Sequence, residues 1–343
     1  MARIVFYCND TNENIEAMEY YRQDIEGLRA LGHEVVVCNR YRDIPWRFDL
    51  LFVWWWTFAF IPVLFARLTG RNALITGTFN FRFANAGGGV DYFGRPAWQR
   101  LLIGLSAELA SANVFVGSKE FAAVPAYFGL TTAHYAPHSV GDAYFTVRER
   151  QVPRTLLLNL AWSGVDNLRR KGVWTILEAA ALLKERGRAF DLVLAGKRGE
   201  GFDALQHKIG ELGLGDCVQA VGEVTFEEKL ELFARTRLYL QPSFYEGFGL
   251  ATAEAMAAGC CVITTDVGEV SAVVGDCGMY VEPGDSAALA DAIENLLSNQ
   301  ALIDQLNACA ADRMQRLFSF ERKKANLASI LSQLSVRAPE FSN

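Results

Sequence analysis

Short apolar runs alternate with segments of helical periodicity from one end of the chain to the other. That alternation predicts parallel sheets in α/β layers. In the first half, strands are read at 3–8, 34–39, 50–56, 73–78, 113–117 and 134–136, and helices near 15–31, 60–69, 97–111 and 119–127. In the helix read at 15–31, Ile15, Met18, Tyr21, Ile25 and Leu28 fall roughly on one face. In the second half, strands are read at 155–161, 191–195, 218–221, 237–241, 261–264 and 279–281. Helices there fall near 172–186, 201–213, 226–235, 249–258, 269–274 and 285–298, and a helical tail runs over 301–334. Segment 79–95 has no period and is rich in Gly and Asn, so it reads as a loop of the functional kind. Val147 to Arg154 is polar between apolar runs, as linkers are, and places a boundary near 141–153.

Length and composition narrow the class. The 343 residues suit two domains, each with its own core. A formal charge of −6 argues against broad nucleic-acid binding, although Arg169, Arg170 and Lys171 stand together. Seven cysteines, an odd number and mostly in apolar runs, read as buried thiols of a reducing cytoplasm. No Cys/His cluster has zinc spacing, and Ile4 to Cys8 opens the chain as a strand with no visible signal peptide. Leu50 to Ala66 is apolar apart from Thr57, but it is short for a span and contains Pro62. It reads as a buried strand and then a helix with Pro62 in its first turn; a lesser reading has Trp54 to Trp56 and Phe58 touching lipid or a hydrophobic acceptor.

The richest stretch for chemistry is Pro242 to Gly259 (PSFYEGFGLATAEAMAAG). A strand ends at Pro242, Glu246 sits in a loop with Gly247 and Gly249, and a helix follows through Glu254 to Gly259. Strand, glycine loop and helix start present bare N–H groups to an anion. Gly247, Phe248, Gly249 and Leu250 can supply them. Lys171 can add a point charge, and Arg169 or Arg170 a guanidinium fork. Two acids around an anion pocket suit a ligand with both phosphates and hydroxyls. Blander readings exist: Ser243 and Glu246 have capping-box spacing, Glu254 suits a solvated helix face, and a lone lysine is most often a surface residue.

This stretch resembles the Glu-x7-Glu motif of retaining family 4 glycosyltransferases, which have the GT-B fold. Further segments resemble the family in order: Leu28 to Cys38, the Lys171-Gly172 pair, Asp191 to Gly196 (DLVLAG), Val218 to Val224 (VQAVGEV), Cys261 to Gly268 (CVITTDVG) and Gly278 to Asp285. The resemblance covers most of the chain and is specific from about 155 to 297. It implies two Rossmann-like parallel-sheet domains facing across a cleft: an acceptor domain over 1–148, a donor domain over 149–318, and a helix in 319–343 crossing back to the first.

The family's roles, carried onto these positions, give Glu246 to the donor sugar and Glu254 to the ribose. Lys171 and Arg170 fall to the diphosphate and the backbone at Val224 to the base. Lys171 and Glu246 are thus the expected catalytic pair. Asn80, Arg82 and His138 are the candidates on the acceptor side, although a hydrogen-bonded structural role suits His138 well. The implied reaction is retaining transfer of a hexose-type sugar from a nucleotide-diphosphate sugar to a saccharide or lipid-linked acceptor, with no cofactor and no metal, since no Asp-x-Asp motif is present. The implied partners are those two substrates and no nucleic acid; the expected location is the cytoplasm, with peripheral contact at the inner membrane face as its variant.

Four departures stand out. The family's Arg before the Lys-Gly pair is replaced by Trp162 to Asp166, and its first-strand glycine pair by Asn9 to Glu13. Its His after the fourth strand is replaced by Phe79 to Arg82, and its later Gly-Gly by Gly268-Glu269. They leave two alternatives open: a non-catalytic nucleotide-sugar binding subunit and a GT-B epimerase.

Overall fold

The computed structural model describes residues 1–82 and 91–336. It divides into two compact units, one built from the described residues of 1–139 together with 318–336, the other from 140–317.

The first unit contains a six-stranded parallel sheet: β1 (Arg3–Cys8), β2 (Glu34–Cys38), β3 (Leu50–Trp54), β4 (Asn72–Gly77), β5 (Ala112–Phe115) and β6 (Ala133–Tyr135), in the order β2-β1-β3-β4-β5-β6. Central strands of such a sheet are covered on both faces, and β3 is accordingly apolar and buried at every position. The first helix breaks at Met18, whose φ of −82° and ψ of 121° separate Asn12–Ala17 from Glu19–Ala30. Ile15, Tyr21, Ile25 and Leu28 still form the buried face. Helix Phe320–Gln333 belongs to this unit and packs Leu327, Ile330 and Leu331 into the core beside β1 and β3. Its Lys323 makes a buried ion pair with Asp24 at 2.8 Å.

Trp54 and Trp56 turn inward, which removes them from the lipid-facing reading, while Trp55 is half-buried and Phe58 is exposed. Trp54 is 1% exposed and donates through Nε1 to Asp24 Oδ2 at 2.9 Å. Trp55 donates to Tyr21 Oη at 2.6 Å, and Trp56, buried, stacks on Phe115. Helix Phe60–Leu68 follows with Pro62 in its first turn, where a missing N–H costs nothing. Among the described residues no helix is long and apolar enough to cross a membrane. Residues 83–90 of the loop read at 79–95 lie outside the described residues.

The second unit repeats the logic with β7 (Leu156–Leu160), β8 (Asp191–Ala195), β9 (Val218–Gly222), β10 (Thr236–Gln241), β11 (Cys261–Thr264) and β12 (Met279–Tyr280), ordered β12-β11-β10-β7-β8-β9 and parallel throughout. Two helices here go beyond the pattern-based reading. Val165–Arg170 precedes the Lys171-Gly172 pair, and Asp142–Val147 lies within the boundary region read near 141–153, just ahead of its polar segment. Tyr144 and Val147 are buried, so their six-residue helix is packed structure.

The all-thiol expectation is also corrected. Cys277 and Cys309 are bonded to each other, their Cα atoms 5.3 Å apart. They lie 32 residues apart in sequence, one just after helix Val270–Val274 and the other inside helix Gln300–Phe318, and only packing brings them together. Cys8, Cys38, Cys217, Cys260 and Cys261 remain thiols.

Candidate active site

The second unit gathers its unusual side chains at the carboxyl end of β10. Parallel strands alternate their side chains, so Tyr239, Gln241 and Ser243 share one side of the strand and its extension. They form a buried relay. Tyr239 Oη donates to Gln241 Oε1 at 2.8 Å, Gln241 Nε2 donates to Ser243 Oγ at 2.8 Å, and Ser243 Oγ donates to Glu246 Oε1 at 3.0 Å. Ser243 thus touches Glu246 through its side chain and caps no helix: helix Leu250–Ala257 begins later, at Gly249.

Glu246 is 5% exposed and ionically held. Lys171 Nζ contacts its Oε1, and Arg170 Nη1 lies 3.5 Å from its Oε2. Arg170 is fixed in turn, donating to Tyr245 O at 3.0 Å and to Asn167 Oδ1 at 2.7 Å. Of the arginine pair, Arg169 is exposed and Arg170 is the one that reaches Glu246. Burial pushes the Glu246 carboxyl up, but the Lys171 and Arg170 charges and the hydrogen bonds from Lys171 and Ser243 outweigh it, and the group sits below the ordinary carboxylate range.

Two glycines explain how so many groups fit. Gly172, at φ 68°, begins helix Val173–Glu185, and a Cβ there would lie 2.0 Å from Pro242 O. Gly268, at φ 55°, lies against the Glu246 backbone, where a Cβ would come within 1.7 Å of the carbonyl oxygen. The Lys-Gly pair is therefore a packing requirement: only glycine lets the chain carrying Lys171 come up against the chain carrying Glu246. Gly249, at φ 85°, opens helix Leu250–Ala257 and itself supplies no side-chain cap. Phe248 is buried while Gly247 and Leu250 are half-buried. The helix ends at Gly259, φ 80°, in the left-handed conformation expected of it.

Glu254 is also 5% exposed, which excludes the solvated-face reading. Tyr144 Oη donates to its Oε1 at 2.9 Å, and Lys229 Nζ lies 3.3 Å from both oxygens. The Lys229 ammonium sits over the Tyr144 ring at 4.9 Å and the Phe226 ring at 5.6 Å. Tyr144 and Lys229 were missed from sequence. The one available signal is the lysine in the first turns of Phe226–Arg235, a helix set by the capping box of Thr225 and Glu228. Val224 is half-buried immediately before that cap.

The three remaining candidates belong to the first unit, where each has its own surroundings. His138 is 5% exposed, with Nδ1 3.1 Å from Gln23 Nε2 and its ring stacked on Trp54. Since Gln23 Oε1 accepts from Ser139 Oγ at 2.9 Å, Gln23 Nε2 is the donor and His138 Nδ1 the acceptor. This buried packing role replaces the acceptor contact expected of it. Asn80 takes a left-handed φ of 56°, and its backbone N–H donates to Glu120 Oε1 at 2.6 Å. Arg82 is exposed, its guanidinium 5.5 Å from the Phe81 ring centre and 5.2 Å from that of Phe93.

Two parallel six-stranded sheets, each with flanking helices, are the architecture of the GT-B fold. Residues 165–313 match the family model described as "Glycosyl transferases group 1". The second unit is therefore similar to group 1 glycosyltransferases and to family 4 among them. Among curated relatives, the O-antigen chain mannosyltransferase B of Escherichia coli is 33% identical over 164 residues, 46% of this chain and 41% of that protein. The MMP alpha-(1->4)-mannosyltransferase of Mycolicibacterium hassiacum is 30% identical over 207 residues, 60% of this chain and 49% of that protein. The matched part thus spans less than half the length of either relative.

Solved structures share the fold. The sucrose-phosphate synthase of Thermosynechococcus elongatus has a TM-score of 0.75 at 20% identity, covering 98% of this chain and 99% of its own. Anabaena Alr3699/HepE, solved with UDP and glucose, has a TM-score of 0.73 at 16% identity, covering 97% of this chain and 100% of its own.

Proposed function

We propose that the protein is a retaining glycosyltransferase that moves a hexose-type sugar from a nucleotide-diphosphate sugar to a saccharide or lipid-linked acceptor. The observation that carries this reading is the buried Glu246 held by Lys171 and Arg170 beside the glycine-opened start of helix Leu250–Ala257. An enzyme that cleaves a diphosphate from a sugar must stabilise negative charge growing on the leaving group. Lys171, Arg170 and the N–H groups from Gly247 to Leu250 are the groups for that task. With Lys171 and Arg170 shared with phosphate, Glu246 keeps oxygens free to accept from sugar hydroxyls. Glu254, anchored by Tyr144 and Lys229, is the carboxylate assigned to the ribose diol, and the backbone at Val224 is assigned to the base.

In this reading the bond from the anomeric carbon to the β-phosphate oxygen breaks and the acceptor oxygen bonds that carbon on the same face. The acceptor's proton passes to an oxygen of the departing diphosphate. The protein supplies position and charge, and the cations make the reaction independent of a metal. The names of two relatives, both mannosyltransferases, favour a hexosyl donor. On the acceptor side Asn80 and Arg82 remain assigned, without His138.

Thermal unfolding against UDP, GDP, ADP and dTDP sugars tests the reading. A donor at a hundred times its dissociation constant should add about 2.7 kcal/mol to stability. Lys171→Ala should abolish that gain and lower transfer by at least about a hundredfold, the scale of losing one charge-stabilising donor. No shift with any sugar nucleotide, or full turnover by Lys171→Ala, overturns it. The anomeric configuration of the product, read by NMR, decides retention.

A further inference from the structure

We propose that helices Phe60–Leu68 and Ala97–Leu109 of the first unit form a surface that docks onto anionic lipid. This inference rests on the first unit alone and stands independently of the transferase reading. Among the described residues, seven large apolar side chains are more than half exposed, and five of them lie here: Trp46 at 80%, Leu68 at 77%, Trp98 and Leu101 at 62%, and Ile61 at 53%. Their spacing is helical. Ile61 and Leu68 are two turns apart on one helix, with half-buried Leu64 between them. Trp98 and Leu101 lie one turn apart on the other, with half-buried Leu105 continuing the stripe. The two helices pack side by side, and Trp46 lies edge-on to Phe65 of the first at 5.3 Å.

Each helix thus has a buried apolar stripe, which the fold explains, and a second one facing water, which it does not. Exposed apolar residues scattered singly need no explanation, but a concentration of them marks an interaction surface.

Charge selects the occupant. Between Ile44 and Leu109, the end of the second helix, the sequence holds six arginines, two aspartates, one glutamate and no lysine, within a chain whose formal charge is −6. Arg67 and Arg71 are exposed beside Leu68. A locally cationic, tryptophan-bearing, apolar face on an acidic protein complements a negatively charged lipid surface: indoles settle at headgroup depth while arginines meet lipid phosphates. A second copy would bring the same positive charge to the same face and repel it. The tryptophans at the end of β3 have no part in this, since Trp54 and Trp56 are buried.

Co-sedimentation of the full chain with vesicles tests the proposal, using phosphatidylcholine alone and with about 30 mol% phosphatidylglycerol. The chain should bind the anionic vesicles at least tenfold better. Raising salt from about 0.1 to about 1 M, which shortens the screening length from ~10 to ~3 Å, should release it. The triple change Trp46→Ser, Trp98→Ser, Leu101→Ser and the double change Arg67→Glu, Arg71→Glu should each reduce binding at least tenfold. Trp162→Ser, an exposed tryptophan of the second unit, should leave it unaltered. Unfolding temperatures within a few degrees of the parent show that the exposed changes spare the fold. Equal binding to both vesicle types, wild-type binding by the triple variant, or a dimer that the triple variant loses without any vesicle binding overturns the proposal.

Discussion

At the scale of single residues, the site turns on one carboxylate kept charged out of water. Glu246 has lost solvent on nearly every side, which by itself favours the neutral acid; Lys171 and Arg170 reverse that preference. Its folded pKa lies below the ordinary 4.5, so its stabilisation is complete above that value and is lost as pH falls through the lower, folded one. Lys171→Met should raise the pH of acid unfolding, followed by circular dichroism. At neutral pH it should cost on the order of 2 kcal/mol, less than a complete break because Arg170 and Ser243 remain. Glu246→Gln should remove this titration and flatten the acid limb; an unchanged acid limb in both variants would show that the pair does not govern it. The two carboxylates were legible because a glycine loop between strand and helix singles them out, and Lys171 because the Lys171-Gly172 pair resembles the family's. Tyr144 and Lys229 were not, because their hydrogen bonds to Glu254 span 110 and 25 residues, and one sequence holds no record of which distant side chains meet.

At the scale of elements, glycines decide how closely the segments approach. Gly172 and Gly187 have nearly the same backbone, φ 68° and 71°, but a Cβ at Gly172 meets Pro242 O and one at Gly187 meets nothing within 4 Å. Gly187→Ala should therefore cost only the left-handed strain, about 1 kcal/mol. Gly172→Ala and Gly268→Ala should each cost more than about 3 kcal/mol, because strain adds to a collision with backbone. Urea unfolding of the three variants checks this, and equal losses would refute the collision. Helix Phe226–Arg235 offers a second test: Thr225→Ala removes half of a reciprocal cap and should cost about 1 kcal/mol by the same measurement. All twelve strands lie within two residues of their expected bounds because a buried parallel strand is a short apolar run. The two short helices Val165–Arg170 and Asp142–Val147 escaped since six residues give too little period to see. The Cys277–Cys309 bond escaped for a related reason: a count of cysteines says nothing about which two the packing joins.

At the scale of the molecule, protons report the burial of groups in the first unit. His138 is enclosed and has the Lys323 ammonium nearby, and burial first and that charge second hold it well below its ordinary 6.5. His33 and His134 are lowered too, chiefly by burial. Below pH 6.5 the unfolded chain binds protons that the folded chain refuses, so stability should fall with pH by up to about 1.4 kcal/mol per unit for each such histidine. The decline for each ends once pH drops below its folded value. Replacing His138 with Asn keeps an acceptor for Gln23 Nε2, and it should cut the slope between about pH 6.5 and 5 by one proton, leaving the share of His33 and His134. Lys323→Met should act on the same slope from the other side, by removing the charge that opposes protonation. It would also strand Asp24 as a buried charge at a cost of about 3–5 kcal/mol, since Lys323 is its cationic partner and both side chains are 1% exposed. Urea unfolding across that pH range separates the two effects: the loss of the ion pair lowers the whole curve, while the change at His138 alters only its tilt. A tilt unchanged by His138→Asn would mean that the histidine takes up its proton as readily in the folded chain as in the unfolded one. Its enclosure by Trp54, Gln23 and Lys323 would then have no energetic consequence.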